Sequence, residues 1–204
     1  MNQTLKTMLA AAALLGGFSV VGIGLVSLVH HSTEARIAQN QRQTLLDSLQ
    51  VLIPAGTYNN DLLADTIDIS DAGLGPKPVT VYRARKHTEP VGAVFAAIAP
   101  DGYGGDIHVL VAVKSDGSLA GVRVLAHKET PGLGDPIDED KSKWIVSFTG
   151  RSLDNPSEKQ WKVKRDGGSF DQFTGATITP RAVVKAVKKV LVYFKDNQKM
   201  VFSQ

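Results

Sequence analysis

Apolar positions follow three different patterns along the chain. From Met8 to Val29 they form a nearly unbroken run, MLAAAALLGGFSVVGIGLVSLV, with no charged residue between Lys6 and Glu34. At ~1.5 Å per residue, such a run in helical form reaches across the ~30 Å core of a bilayer. It exceeds the ~7–15-residue core of a secretory signal, and SLVHHSTEA offers no convincing cleavage site, so a retained anchor is expected over a cleaved leader. Ala13 and Gly17 are spaced to let a second membrane helix approach, although small residues are common in such spans. Lys6 precedes the span while Arg36 and Arg42 follow it, so the positive-inside count does not decide orientation. The short basic lead is that of a signal anchor, which places the remainder outside the cytoplasm. Beyond the span, Ser32-Thr33-Glu34 reads as a helix start continuing from the membrane. Leu45, Leu46, Leu49, Leu52 and Ile53 keep helical spacing until Pro54.

Next comes the two-residue alternation of strands. PVTVYRAR alternates, VGAVFAAIA has the look of a buried strand, and DIHVLVAVK and SLAGVRVLAH flank Asp116-Gly117, a hairpin signal. A Gly/Pro loop, ETPGLGDPI, leads to a short helix predicted around Lys141 to Phe148, and KQWKVKRDGG reads as a strand ending in a turn. Helical spacing then returns. Thr179 is predicted as N-cap with Pro180 at the first helical position. Val183, Val184, Val187, Val190, Leu191 and Phe194 form the apolar face, with Lys185, Lys188, Lys189 and Lys195 largely opposite. Strands in series imply an α+β fold, with a single transmembrane helix ahead of a mainly antiparallel sheet and a C-terminal helix. The expected division is an anchor at 1–30, a connecting helix at 31–56 and a folded domain at 57–204.

Composition narrows the chemistry. Of 204 residues, 43% are hydrophobic and 21% charged, ordinary values for a folded chain. The net charge of +3, without an aromatic-and-basic stripe, argues against nucleic acid as a partner. The absence of cysteine excludes disulfides, zinc–thiolate sites, cysteine-ligated iron–sulfur clusters and thiol nucleophiles. A redox role therefore needs an organic cofactor or haem. The G-x-S-x-G, H-E-x-x-H and Walker patterns are missing. His127 and Glu129 flank one residue, but a surface pair is the expected outcome and no metal site is assigned.

What stands out is FDQFTGATITPRAVVKAVKKVL, where Thr174, Thr177 and Thr179 crowd the start of a helix that needs one cap. A turn and a cap account for it most simply. Helix N-termini, however, favour phosphate, and Gly175 and Ala176 leave room for it to approach the backbone. A threonine hydroxyl here is placed to be esterified by a phosphate-bearing cofactor.

FDQFTGATITPRAVVKAV resembles the flavinylation segment of the G subunit of the Rnf (Rsx) ion-translocating electron transport complex. APDGYGGDI, at 99–107, and HKETPGLGD, at 127–135, resemble that family's other signatures in the same order. The resemblance implies FMN joined by a phosphoester to Thr177. Asp171, Thr174, Gly175 and Ala176 would be read by a separate transferase that takes FMN from FAD. It implies an electron-relaying subunit in the bacterial inner membrane, single-pass, with its FMN-binding domain in the periplasm. Its partners would be the lipid bilayer and the other membrane and peripheral subunits of a complex coupling NADH and ferredoxin to ion movement, with no turnover by this subunit alone. Glu129, Thr130, Gly132, Leu133 and Gly134 are expected near the flavin ring, with Lys141 and Trp144 as further neighbours. Two alternatives stand beside this reading. One is the C subunit of the sodium-pumping NADH:quinone reductase, which shares the S/T-G-A-T segment; the other is a cofactor-free, membrane-tethered structural or assembly module.

Overall fold

The structure of the protein, a computed structural model, describes residues 3–75 and 77–203. The chain divides into two units, 1–45 and 46–204. Helix α1, Gln3–Leu52, is continuous and supplies all that is described of the first unit. It is long and apolar enough to cross a membrane, and its most apolar stretch is exposed among the described residues. The helix start expected at Ser32 is corrected. Ser32 and Thr33 lie inside α1, and their hydroxyls donate back to the Val29 carbonyl at 2.9 and 2.8 Å, bonding within the helix where caps were expected. The expected termination at Pro54 holds to within two residues, because proline cannot continue the hydrogen-bond ladder.

In the second unit, five strands form an antiparallel meander in sequence order: β1 Thr66–Ile69, β2 Val79–Lys86, β3 Glu89–Gly102, β4 Gly105–Lys114 and β5 Leu119–Ala126. The α+β class is as expected, and Asp116-Gly117 turns the β4–β5 hairpin. Strand β1 is an addition that its four-residue apolar–polar pattern was too short to reveal.

Alternation along the central strands sends side chains to both faces. Ala93, Phe95, Ala97, Val109, Val111 and Val113 share a core with α2, Ile178–Val201. Phe95 meets Tyr193 and Phe194 edge-on, with centroids 6.3 and 6.2 Å apart, a favoured aromatic geometry. On the other face the end of α1 comes close at two glycines. A Cβ on Gly121 would stand 2.9 Å from Leu52, and one on Gly92 3.6 Å from Ile53. The sheet is thus covered on both sides, which explains why Val94, Leu110 and Ala112 are as buried as their neighbours.

The stretch from β5 to α2 departs from expectation. The helix predicted over Lys141–Phe148 is a single 3-10 turn, Ile145–Phe148. KQWKVKRDGG is not a strand but two 3-10 turns, Glu158–Gln160 and Lys164–Asp166, and Val163 between them makes one isolated bridge to Phe170. Rings hold it in place of a ladder. Phe148 stacks on Phe170 at 4.6 Å, and Trp161 lies 4.9 Å from Phe170. The Trp161 indole N–H donates to the Ser152 carbonyl at 2.9 Å. Burial of three large rings stabilises this segment without regular backbone pairing.

Candidate functional site

Three turns meet in front of α2. The first is the β3–β4 hairpin tip, where Tyr103 and Gly104 sit between paired Gly102 and Gly105. The second follows β5. There Leu133 and Gly134 N–H groups donate to the Thr130 carbonyl at 3.1 and 3.0 Å, Gly132 takes φ 78°, and its N–H donates to Asp135 Oδ1 at 2.6 Å. The third is the Phe173–Ala176 turn, closed by the Ala176 N–H on the Phe173 carbonyl at 3.2 Å. Gly175, at φ 81°, fills the third position, which in a turn of this shape requires positive φ.

Between these turns lies a cavity of about 310 Å3, at the small end of small-molecule sites. Glu129, Thr130, Leu133, Gly134, Gly175, Ala176 and Thr177 line it together with Tyr103, Ile178 and Thr179. The three sequence motifs, far apart in the chain, therefore converge on one place. Of the residues singled out in the sequence, Gly132 and Thr174 shape the bordering turns but are not among the lining residues. Asp171 lies outside, paired with Lys164 at 2.6 Å. Trp144 packs on Phe148 and Phe173 and donates its indole N–H to the Asp171 carbonyl at 2.8 Å, so it buttresses the turn and does not face the cavity. Lys141 lies in the turn at 138–142, its N–H donating to the Asp138 carbonyl at 3.1 Å, away from the cavity lining.

The assignment of Thr179 as cap is corrected. Helix α2 starts at Ile178 with Thr177 as N-cap, and the Thr177 side chain makes no capping hydrogen bond. Pro180 accordingly falls at the third helical position. Thr179 is buried, and its hydroxyl donates to Glu129 Oε2. Glu129 Oε1 accepts the Gly104 N–H at 2.9 Å, so one buried carboxylate ties the hairpin tip to the helix. The expected His127–Glu129 surface pair is also corrected. Glu129 is 5% exposed, and its N–H donates to His127 Nδ1 at 3.0 Å. The other ring nitrogen faces Asp138 at 2.9 Å. With Nδ1 accepting, the neutral ring carries its proton on Nε2, directed at Asp138. Among the described residues, no group of three or more His, Asp or Glu is arranged to hold a metal ion.

Close packing explains the glycines. A Cβ on Gly104 would stand 1.9 Å from the Lys128 carbonyl oxygen, and one on Gly134 2.8 Å from Glu129 Oε2 and 2.9 Å from Thr179 Oγ1. The cavity also has an apolar, exposed rim: Tyr103 is 71% exposed, and Leu133 and Ile178 are 46% exposed. Tyr103, Ile178 and Thr179 were not chosen from the sequence as lining residues. All three had a signal in their place inside quoted motifs, Tyr103 in APDGYGGDI and Ile178 and Thr179 in FDQFTGATITPRAVVKAV. One cation approaches the Thr177 hydroxyl. Arg165 Nη1 lies 3.5 Å from Thr177 Oγ1, and hydrogen bonds from Arg181 hold the Asp166 carboxyl below the ordinary range.

The family described as FMN-binding domain matches residues 102–192, from the hairpin tip to well within α2. That match spans the three turns that border the cavity and the first part of α2. Residues 1–52 match a second family, described as the RnfG N-terminal region, which coincides with α1. Among similar proteins, the G subunit of the ion-translocating oxidoreductase complex of Pseudomonas aeruginosa is 50% identical over 98% of this chain and 94% of its own. That of Shewanella baltica is 47% identical over 93% and 91%, and that of Aliivibrio fischeri 43% over 95% and 93%. The chain belongs to the family of G subunits of Rnf-type ion-translocating oxidoreductase complexes. The C-subunit and cofactor-free alternatives give way to it.

Proposed function

We propose that this chain is a membrane-anchored flavoprotein that relays electrons inside an Rnf-type complex, with FMN joined to Thr177 by a phosphoester. The observation that carries the reading is the convergence of three separate motifs on one cavity beside a threonine whose hydroxyl caps nothing.

The residues present suit the group. Thr177 Oγ1 opens at the start of α2, where partial positive charge and unpaired amides favour phosphate. Gly134 and Gly175 keep side chains out of the cavity wall, and the exposed faces of Tyr103, Leu133 and Ile178 offer apolar cover for a planar ring. Bound FMN supplies the one- and two-electron chemistry. The chain's own contribution is retention and placement. The Glu129 carboxylate holds the hairpin tip against α2, the loop at 129–134 forms one wall, and Thr177 anchors the phosphate end. In maturation, a separate transferase would join the Thr177 oxygen to the FMN-side phosphorus of FAD. The pyrophosphate bond breaks, AMP leaves and the hydroxyl proton is released. Helix α1 would anchor the chain in the inner membrane with the domain in the periplasm, where a covalent tether prevents loss of the flavin. NADH and ferredoxin would be the complex's electron partners, reached through its other subunits.

Intact mass of the chain made with and without the transferase tests this. The expected difference is one FMN less one water; equal masses from two well-folded preparations would refute the proposal.

A further inference from the structure

We propose that Arg165 is a positioning residue for the phosphate at Thr177, pairing its guanidinium with the non-bridging oxygens of the phosphodiester. The inference rests on the reading above that Thr177 carries FMN.

Arg165 reaches Thr177 from twelve residues away, with Nη1 3.5 Å from Oγ1. That distance is at the limit of a hydrogen bond, and a neutral hydroxyl gains little from it. The contact therefore does not explain why a guanidinium is placed there. Its placement is nonetheless well fixed. Arg165 sits in the 3-10 turn Lys164–Asp166, ended by Gly167 at φ 80°. Its N–H donates to Gln172 Oε1 at 3.2 Å, and the preceding Lys164 N–H donates to the Phe170 carbonyl at 2.7 Å.

The neighbouring charges single it out. Lys164 pairs with Asp171 at 2.6 Å, and Arg181 takes both oxygens of Asp166 at 2.6 and 2.8 Å. Arg165 lies between these pairs, and among the described residues no carboxylate comes within ion-pair distance of it. Asp166 feels Arg165 only from beyond ion-pair distance, so the guanidinium directed at Thr177 has no close carboxylate partner. A phosphodiester there would bring one negative charge spread over two oxygens, the geometry a guanidinium fork matches. The helix start needs such help, because Pro180 in the first turn of α2 has no N–H to offer an anion. Arg165 supplies further donors beside Thr177.

The test uses the full chain made with the transferase, in detergent, as wild type, Arg165→Gln and Arg165→Lys. Peptide mass first establishes flavin on Thr177 in the wild type. The 31P resonance of the phosphodiester and the flavin fluorescence anisotropy are then read at low and high salt. In Arg165→Gln the resonance should move to that of the flavin peptide released by proteolysis, and anisotropy should fall. Arg165→Lys, which keeps the charge but loses the fork, should lie between. High salt should move the wild type in the same direction and leave Arg165→Gln unmoved. Wild-type resonance and anisotropy in Arg165→Gln would overturn the role of Arg165 and leave the flavin reading standing. Should Arg165→Gln not accept flavin, wild-type values in Arg165→Lys would overturn it equally. Absence of flavin from Thr177 in the wild type would remove both.

Discussion

Thr179 shows how a local rule and a tertiary contact compete for one hydroxyl. A threonine before proline suits a helix cap, and capping was the expectation. In the fold its hydroxyl donates instead to Glu129, fifty residues away, in a buried setting. Removing the donor leaves a buried carboxylate oxygen without that partner, which costs more than losing an exposed cap. Thr179→Val, nearly the same shape, should lower unfolding stability by about 1–3 kcal/mol, whereas Thr179→Ser should stay within about 1 kcal/mol. Urea unfolding of the detergent-solubilised chain measures both. Equal stability for valine and wild type would show that the Glu129 tie contributes nothing. Thr177 is the complementary case, since it holds the cap position without using its hydroxyl to cap. An ester oxygen is a poor acceptor for a capping amide, and here the oxygen caps none; among the described residues its one contact is the long one from Arg165 at 3.5 Å.

Among elements, the β3–β4 tip and the loop after β5 are fitted together through glycine. Gly104 has no room for a Cβ, since a backbone carbonyl cannot swing aside as a side chain can. Gly104→Ala should therefore force the tip away from Lys128 and weaken the Glu129 hydrogen bond. A loss of at least about 2 kcal/mol is expected. Gly105→Ala, with open space around its Cβ but φ 107°, should cost about 1–3 kcal/mol through backbone strain alone. A Gly104→Ala chain as stable as wild type in thermal unfolding would contradict this packing. Regular elements were legible where burial imposes a period: β2 to β5 by alternation, α2 by its apolar stripe. The segment 138–176 was not. Its order comes from Phe148, Trp161 and Phe170 stacking across irregular backbone, and such contacts have no sequence period. The meeting of the 129–134 loop with the Thr177 segment was expected, but the part of the hairpin tip was not, because it depends on how the sheet sets that tip against α2. Tyr103 and Thr179 were both within motifs already singled out, and the role of Thr179 was hidden by its own cap signal.

For the whole molecule, α1 presents Phe18, Val20, Ile23, Val26 and Leu28 to the surroundings, each at least two-thirds exposed. An apolar surface of that extent on a chain in water would drive association, and a bilayer is the environment that removes the cost. The proposed placement of the domain outside the cytoplasm predicts that alkaline phosphatase fused after the last residue is active and a cytoplasmic reporter at the same junction inactive. The reverse pair of activities would overturn the orientation.

The central claim is that one hydroxyl, that of Thr177, carries the flavin. Proteolysis of the chain made with the transferase, followed by peptide mass spectrometry, tests it most directly when wild type and Thr177→Ala are compared. The account predicts a flavin phosphoester on Thr177 in the wild type, and a folded Thr177→Ala chain with no flavin on any peptide. Flavin mapped to Thr174 or Thr179, or retained covalently in Thr177→Ala, would contradict it.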